Sequence, residues 1–105
     1  MRILFDQGTP VPLRKSLPGH IVITAFEQGW SMLQNGDLLT EAEKNAFELL
    51  VTTDQNLKYQ QVLMYRKIAI LVLPTTRWTQ IRSHISEVVA TVQTIKPGEY
   101  RELIW

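Results

Sequence analysis

The sequence predicts a three-layer α/β/α sandwich with a mostly parallel sheet of about five strands. Short runs of β-branched and apolar residues alternate along the chain with segments whose apolar residues recur at helical spacing. This alternation is typical of a parallel sheet with helices on both faces. The run IAILVL at 68–73 is apolar at every position, which is the pattern of a central strand buried on both faces.

Size and composition limit the class of protein. A chain of 105 residues suits a single domain, 1–105, and its apolar content of 45% is that of a globular protein. The absence of cysteine excludes disulfides and thiolate metal sites. No apolar run is long enough for a signal peptide or a membrane span, so we expect a soluble cytoplasmic protein. The net charge of +1 means that any contact with nucleic acid needs a local basic patch.

The first predicted strand is Arg2–Phe5, and a helix follows it. Thr9 is a suitable N-cap for this helix, and Pro10 suits its first position. In such a helix Leu13 and Leu17 face the core.

A second strand is predicted at Ile21–Ala25, followed by an irregular stretch at 26–34. From Asp37 onward, apolar residues at i, i+4 and i+8 predict an amphipathic helix. These residues are Leu38, Ala42 and Ala46.

The third strand is predicted at Phe47–Thr53 and the fourth at Ile68–Leu73. Between them, 56–65 is predicted as a short helix with Leu57 and Met64 facing inward. One long helix with an apolar stripe comes next, and Lys96-Pro97-Gly98 ends it. The residues of the stripe are Trp78, Ile81, Ile85, Val88, Val92 and Ile95. The last segment, Tyr100–Trp105, is either a fifth strand or a packed tail.

The chain's three aspartates are all predicted at one edge of the sheet. Asp6 follows the first strand, Asp54 follows the third, and Asp37 lies at the start of the helix between the second and third. The carboxyl ends of parallel strands share one edge, which is where open α/β sheets bind ligands. Asn56 lies in the first turn after Asp54 and can point the same way.

Such a cluster suits a metal site, because neighbouring carboxylates raise each other's pKa and a divalent cation removes that cost. Mg²⁺ accepts one or two carboxylates together with waters and substrate phosphates, and such an ion can activate a water for attack on phosphorus. The alternative is structural. Asp37 and Asp54 can be helix N-caps, and Asp6 can begin an Asx turn.

Several other polar residues are candidates for the same edge. Basic residues that could hold substrate phosphates there, or could simply be solvated surface charges, are Arg14, Lys15, Lys58, Arg66 and Lys67. Thr52 and Thr53 could hydrogen-bond a carboxylate or a water in the site, although strand residues of this type need no such role.

Three segments of the sequence resemble a family of short bacterial PIN-like proteins. They are the run ILFDQ at 3–7 followed by LPGH at 17–20, the pair GW at 29–30 with NGDLL at 35–39, and TDQNL at 53–57. Together they cover about the first two thirds of the chain.

The resemblance implies a compact PIN fold and an Mg²⁺- or Mn²⁺-dependent ribonuclease. Many PIN enzymes are toxins of toxin–antitoxin pairs, so it also implies an RNA substrate and a small antitoxin partner. Asp6, Asp37 and Asp54 match the family's metal-binding acids, and Asn56 lies near its fourth acidic or polar residue. The family usually has glutamate where this chain has Gln7, and the smaller charge predicts weaker metal binding.

Two further functions remain open. The same fold could be a non-catalytic module that binds a protein or nucleic acid, which Gln7 and Asn56 favour. A phosphoacceptor receiver domain ranks third. It needs an acidic pair after the first strand and a lysine after the fifth, whereas this sequence has Asp6-Gln7 and no such lysine. An exposed Trp105 would indicate a homodimer contact.

Overall fold

The computed structural model describes residues 1–60, 63 and 65–105, without the side chains of residues 59 and 60. Within these residues, five strands form one sheet in which every neighbouring pair is parallel. The strands are β1 (Arg2–Phe5), β2 (Ile21–Thr24), β3 (Leu49–Thr52), β4 (Ala69–Val72) and β5 (Tyr100–Glu102). Their order in the sheet is β2-β1-β3-β4-β5, one of the common doubly wound arrangements.

Helical segments connect the strands and cover both faces of the sheet, so the predicted α/β/α class is confirmed. A 3₁₀ helix at Val11–Ser16 joins β1 to β2. The α-helices are α1 (Ala25–Gln28), α2 (Asn35–Lys44), α3 (Leu57–Gln60), α4 (Trp78–Ser83) and α5 (Ile85–Thr94).

Two hydrophobic cores lie on opposite faces of the sheet, because successive side chains of a strand point to opposite sides. Ile3 and Phe5 belong to the core that also contains Val88 of α5. Leu4 belongs to the other core, with Leu39 of α2. All four residues of β4 are buried, as predicted for a central strand, and all four residues of β3 are buried as well.

The predicted cap of the first helix is wrong. Pro10, not Thr9, occupies the N-cap position, and the segment is a 3₁₀ helix. The hydroxyl of Thr9 instead donates to the carbonyl oxygen of Val51 at 2.8 Å, which ties the loop after β1 to β3. Leu13 and Leu17 are buried, as predicted.

The stretch predicted as irregular begins with α1, and Ala25 belongs to that helix rather than to β2. A capping box fixes its start. The Glu27 N–H donates to Oγ1 of Thr24 at 3.0 Å, and the Thr24 N–H donates to Oε1 of Glu27 at 2.9 Å. Gly29 ends the helix in the left-handed conformation, with φ of 82°.

Two predicted core positions have different outcomes. Ala46 is exposed with φ of 63°, because α2 ends at Lys44 and the chain turns before β3. Its prediction as an inward helical residue was wrong. Leu57 is buried as predicted, and Met64 lies outside the described residues.

The predicted long helix is two helices, α4 and α5, separated at His84. The predicted apolar stripe still faces the core, with Ile81, Val88, Val92 and Ile95 buried. The ring of His84 stacks on Trp105 with 4.3 Å between centroids, and Nε1 of Trp105 donates to Glu87 at 2.9 Å. The end of the sequence is therefore both strand β5 and a packed tail.

No helix in the described part of the chain is both long and apolar enough to cross a membrane.

Candidate functional site

The strand order creates a crevice between β1 and β3. The chain leaves β1 toward β2 on one side, whereas β3 leads to β4 on the other. Ligands of doubly wound sheets bind at the carboxyl ends of the strands where the winding reverses in this way. Asp6 directly follows β1, and Asp54 is two residues beyond β3. The fold therefore places two of the three aspartates at its most suitable ligand-binding position.

Asp6 is held by donors on both carboxylate oxygens. Its Oδ1 accepts from the Gly8 N–H at 3.2 Å and lies 3.1 Å from the hydroxyl oxygen of Thr9. Its Oδ2 accepts from the hydroxyl of Thr52. Burial raises the pKa of Asp6, the hydrogen bonds from Thr52, Thr9 and Gly8 lower it in part, and the negative charge of Asp54 raises it further. The ionised form of Asp6 is thus unfavourable unless a cation compensates it.

Thr52 connects the two carboxylate residues. It is 1% exposed, and while its hydroxyl donates to Asp6, its Oγ1 accepts from the Asp54 N–H at 3.0 Å. The predicted hydrogen bond from this threonine to a site carboxylate is confirmed. The Oδ1 of Asp54 accepts from the Asn56 N–H at 2.9 Å, which orients the second carboxylate.

Gly8 allows the loops after β1 and β3 to approach each other. A Cβ atom at this position would overlap with Oγ1 of Thr53 and would lie 3.8 Å from Cγ2 of Thr76. The loops that follow β1, β3 and β4 therefore pack around a residue without a side chain. The Oγ1 atom of Thr53 lies next to Gly8. Among the described residues, the Thr53 hydroxyl makes no hydrogen bond to Asp6 or Asp54.

Asp37 belongs to a different element from the other two aspartates. It is exposed in the first turn of α2. Among the described residues, no group of three or more His, Cys, Asp and Glu side chains is arranged to hold a metal ion. The charge of Asp54 thus acts on Asp6, whereas Asp37 is an exposed residue of α2.

The two neutral residues at the site have structural contacts. The side-chain amide of Gln7 donates to the carbonyl oxygen of Ser31 at 2.9 Å, which ties the loop after β1 to the segment after α1. Asn56 contributes its backbone N–H to Asp54, and its side chain is exposed.

The two cations predicted to bind substrate are both in ion pairs. The guanidinium of Arg14 donates twice to Glu27, at 2.8 and 3.2 Å. Lys58 lies 3.1 Å from Oε1 of Glu102. To bind a substrate phosphate, Arg14 would have to release Glu27, and Lys58 would have to release Glu102.

The remaining predicted cations do not reinforce the site. Arg66 and Lys67 precede β4 and so lie at the amino edge of the sheet, where Glu43 accepts from the guanidinium of Arg66 and from the backbone N–H of Lys67. Lys15 is exposed on the 3₁₀ helix.

Two clefts meet at Asp6. One has a volume of about 560 Å³ and runs from Asp6 along Thr9 and Arg14 to Phe26. The other has a volume of about 130 Å³ and runs toward Trp30 and the start of α2 at Asn35. Asp6 therefore lines two clefts, although burial removes much of its surface from water.

Comparison of the chain with protein-family models, curated proteins and solved structures found no match. What the site can do therefore follows from its own chemistry.

In the part of the chain that the structure describes, two carboxylates alone are the protein ligands available here for a divalent cation. Mg²⁺ is usually held by one or two carboxylates, with waters and substrate phosphates completing its coordination. Asp6 and Asp54 supply two carboxylates, and the unfavourable ionisation of Asp6 is what a cation would relieve. The pair suits an ion shared with substrate rather than one enclosed by protein ligands alone.

Sequence reasoning missed two features of this site. Thr9 was interpreted as a helix cap, although its hydroxyl supports Asp6. The capping box of α1 was overlooked, although Thr24 followed three residues later by Glu27 is its usual sequence signature. That box determines where Phe26 stands beside the larger cleft.

Proposed function

We propose that this protein is a metal-dependent ribonuclease of the PIN-like kind, which hydrolyses RNA phosphodiester bonds with Mg²⁺ or Mn²⁺ bound by Asp6 and Asp54. The observation that carries the proposal is the desolvated carboxylate of Asp6, with the charge of Asp54 acting on it, at the switch point of a doubly wound sheet. The resemblance to PIN-like proteins adds RNA as the substrate. It also adds the role of a bacterial cytoplasmic toxin with a small antitoxin partner.

The surrounding residues hold the two carboxylates in fixed positions. Thr52 and the Gly8 N–H restrain Asp6, and the Asn56 N–H restrains Oδ1 of Asp54. Within the described residues, Oδ2 of Asp54 has no hydrogen bond, so this oxygen is available to a ligand. A divalent ion, when bound there, supplies an activated water and charge stabilisation at phosphorus. Asp37 is exposed in the first turn of α2, and we assign the ion to Asp6 and Asp54 alone.

The test is cleavage of single-stranded RNA by the purified chain in Mn²⁺. We expect cleavage by the wild type, none with EDTA, and a loss of at least about 100-fold in Asp54→Asn. That estimate follows because removing an outer-shell partner alone typically costs about 10- to 100-fold. Asp37→Asn is the matched control, since it removes the same charge outside the pair, and we expect it to stay within about threefold of the wild type.

Two results would overturn the proposal. One is a wild-type protein that leaves every RNA intact in Mn²⁺ and in Mg²⁺. The other is an Asp54→Asn variant that cleaves as fast as the wild type, which would trace the activity to a contaminant or another site.

A second candidate is a non-catalytic module that binds a partner at the same edge. The ion pairs Arg14–Glu27 and Lys58–Glu102 favour it, because they reduce the positive charge offered to RNA phosphates. Under this candidate the carboxylate pair binds no Mn²⁺, and its substitution changes partner binding without affecting any chemistry.

A further inference from the structure

The lining of the larger cleft beside Asp6 includes two exposed apolar side chains. Phe26 lines it and is 77% exposed, so its ring buries little surface within the chain. Val11, on the 3₁₀ helix, is a second exposed apolar residue in the same lining. Single exposed apolar residues are common on protein surfaces, but these two lie together in the lining of one cleft next to Asp6, where a flat apolar ligand could cover them.

The segment that carries Phe26 is firmly held although the ring is not packed. The capping box between Thr24 and Glu27 fixes the start of α1. Both oxygens of Glu27 accept from Arg14, which ties α1 to the 3₁₀ helix. The backbone N–H of Gly29 closes the other end on Phe26 and Ala25. Phe26 is therefore an exposed ring on a helix whose position is fixed by hydrogen bonds. Phe26 and Asp6 line the same cleft.

We infer that this cleft binds a nucleobase of single-stranded RNA, stacked on Phe26, with the adjoining phosphate directed toward Asp6. The inference relies on the proposed function for its choice of RNA as ligand. A base has two flat faces for the ring, and its polar edge can reach Thr24 and Arg14 in the lining. The volume of about 560 Å³ is within the usual range for small-ligand sites.

The geometry further specifies the form of the RNA. A base can stack on a protein ring only when it has left its own helix, and proteins that read single strands use exposed aromatic side chains in this way. The site should therefore prefer single-stranded RNA to duplex RNA. Charged groups stand among the lining residues, whereas the centre of a protein–protein interface is depleted of charge, which favours a nucleotide over a protein partner.

The test is fluorescence anisotropy with a labelled single-stranded oligoribonucleotide in EDTA, where metal-dependent cleavage does not occur. We expect Phe26→Ala to weaken binding about tenfold, the usual size of one base–aromatic stack. Phe26→Trp should retain binding, and a duplex of the same sequence should bind more weakly. Tyr65→Ala is the matched control, because Tyr65 is an aromatic residue that is 85% exposed and does not line this cleft.

Each outcome decides the inference separately from the ribonuclease proposal. Unchanged affinity in Phe26→Ala, or no binding of RNA by the wild type, overturns it even if Mn²⁺-dependent cleavage occurs. Weakened binding in Phe26→Ala supports it even if no cleavage is found, in which case only the ribonuclease proposal fails. If Phe26→Ala leaves RNA affinity unchanged but converts a dimer to a monomer in sedimentation, the cleft is a protein contact and the inference is wrong.

Discussion

Asp6 combines tight hydrogen bonding with an unfavourable charge. The Thr52 hydroxyl and the Gly8 N–H donate to its carboxylate, the Thr9 hydroxyl oxygen lies 3.1 Å from Oδ1, and burial still raises its pKa. A residue of this kind weakens the fold at neutral pH and gains a favourable partner only when a cation is present. Such a cost is expected at functional sites, where residues serve binding rather than stability.

The first prediction concerns the stability of Asp6→Asn. Because the folded-state pKa of Asp6 is above its usual 3.8, the folded state favours the protonated form, and stability is lost as the pH rises through the folded pKa. We therefore expect Asp6→Asn to melt at a higher temperature than the wild type at pH 7 without metal. The difference should shrink as the pH falls toward 3.8.

Thermal melting across pH, with and without Mn²⁺, measures this effect. Mn²⁺ should stabilise the wild type and leave Asp6→Asn unchanged. A variant that is less stable than the wild type at pH 7 would show that the hydrogen bonds to the carboxylate outweigh its desolvation.

For individual residues, the sequence predicted where a side chain lies in the fold better than it predicted which side chains it contacts. Asp6 and Asp54 stand where the strand pattern placed them, and Thr52 was recognised as a potential donor to a carboxylate. The exposure of Asp37 could not be predicted, since it depends on how the first turn of α2 packs against the rest of the fold. Arg14 was expected to be available for substrate, but its pairing with Glu27 depends on the contact between α1 and the 3₁₀ helix.

Among the elements, α2 is fastened to the start of β4 by one carboxylate. Glu43 accepts from the guanidinium of Arg66 at 2.8 Å and from the Lys67 N–H at 2.7 Å. Burial acts to raise the pKa of Glu43, but these hydrogen bonds and a further one from the Ile68 N–H outweigh it and lower the pKa below its usual 4.5. The ionised form therefore stabilises the folded state.

The second prediction follows from this contact. Glu43→Gln should lower the free energy of unfolding by about 1–2 kcal/mol at pH 7, because a charged acceptor with several donors is replaced by a neutral one. Since the folded-state pKa is lowered, the wild-type advantage is present above pH 4.5 and is lost as the pH falls through the folded pKa. Urea unfolding at several pH values measures it, and an equal loss at low and neutral pH would contradict the charge-based explanation.

Element boundaries show which local signals were sufficient. The strands β1, β3 and β4 were predicted within two residues, because their apolar runs are unambiguous. The helix break at His84 was not predicted, since the apolar stripe from Trp78 to Ile95 continues across it. The stacking of His84 on Trp105, a contact between residues far apart in sequence, accompanies the break. Such a contact has no local signature.

At the scale of the whole molecule, the order of the strands in the sheet could not be predicted from the sequence. Alternating strands and helices imply a parallel sheet, but many orders are compatible with that pattern. The order β2-β1-β3-β4-β5 makes β1 and β3 neighbours, and this adjacency brings Asp6 and Asp54 together. The candidate site is thus a consequence of topology as much as of motif.

The third prediction tests the two separate cores. Ile3 and Ile70 lie in cores on opposite faces of the sheet, so Ile3→Val and Ile70→Val should each cost about 0.5–1.5 kcal/mol and add within about 0.5 kcal/mol. Leu50 and Ile70 are register neighbours on one face, so Leu50→Ala with Ile70→Val should be non-additive. Urea denaturation of the single and double variants measures this, and strong coupling between Ile3 and Ile70 would contradict the layered core.

The most direct test of the central claim is a calorimetric titration of Mn²⁺ into the wild type, Asp54→Asn and Asp37→Asn. The account predicts a single Mn²⁺ site per wild-type chain, loss of the binding heat in Asp54→Asn, and its retention in Asp37→Asn, because only Asp6 and Asp54 form the pair. A wild type that binds no Mn²⁺ would contradict the metal site. Equal loss of binding in Asp54→Asn and Asp37→Asn would contradict the two-carboxylate arrangement and restore the set of three.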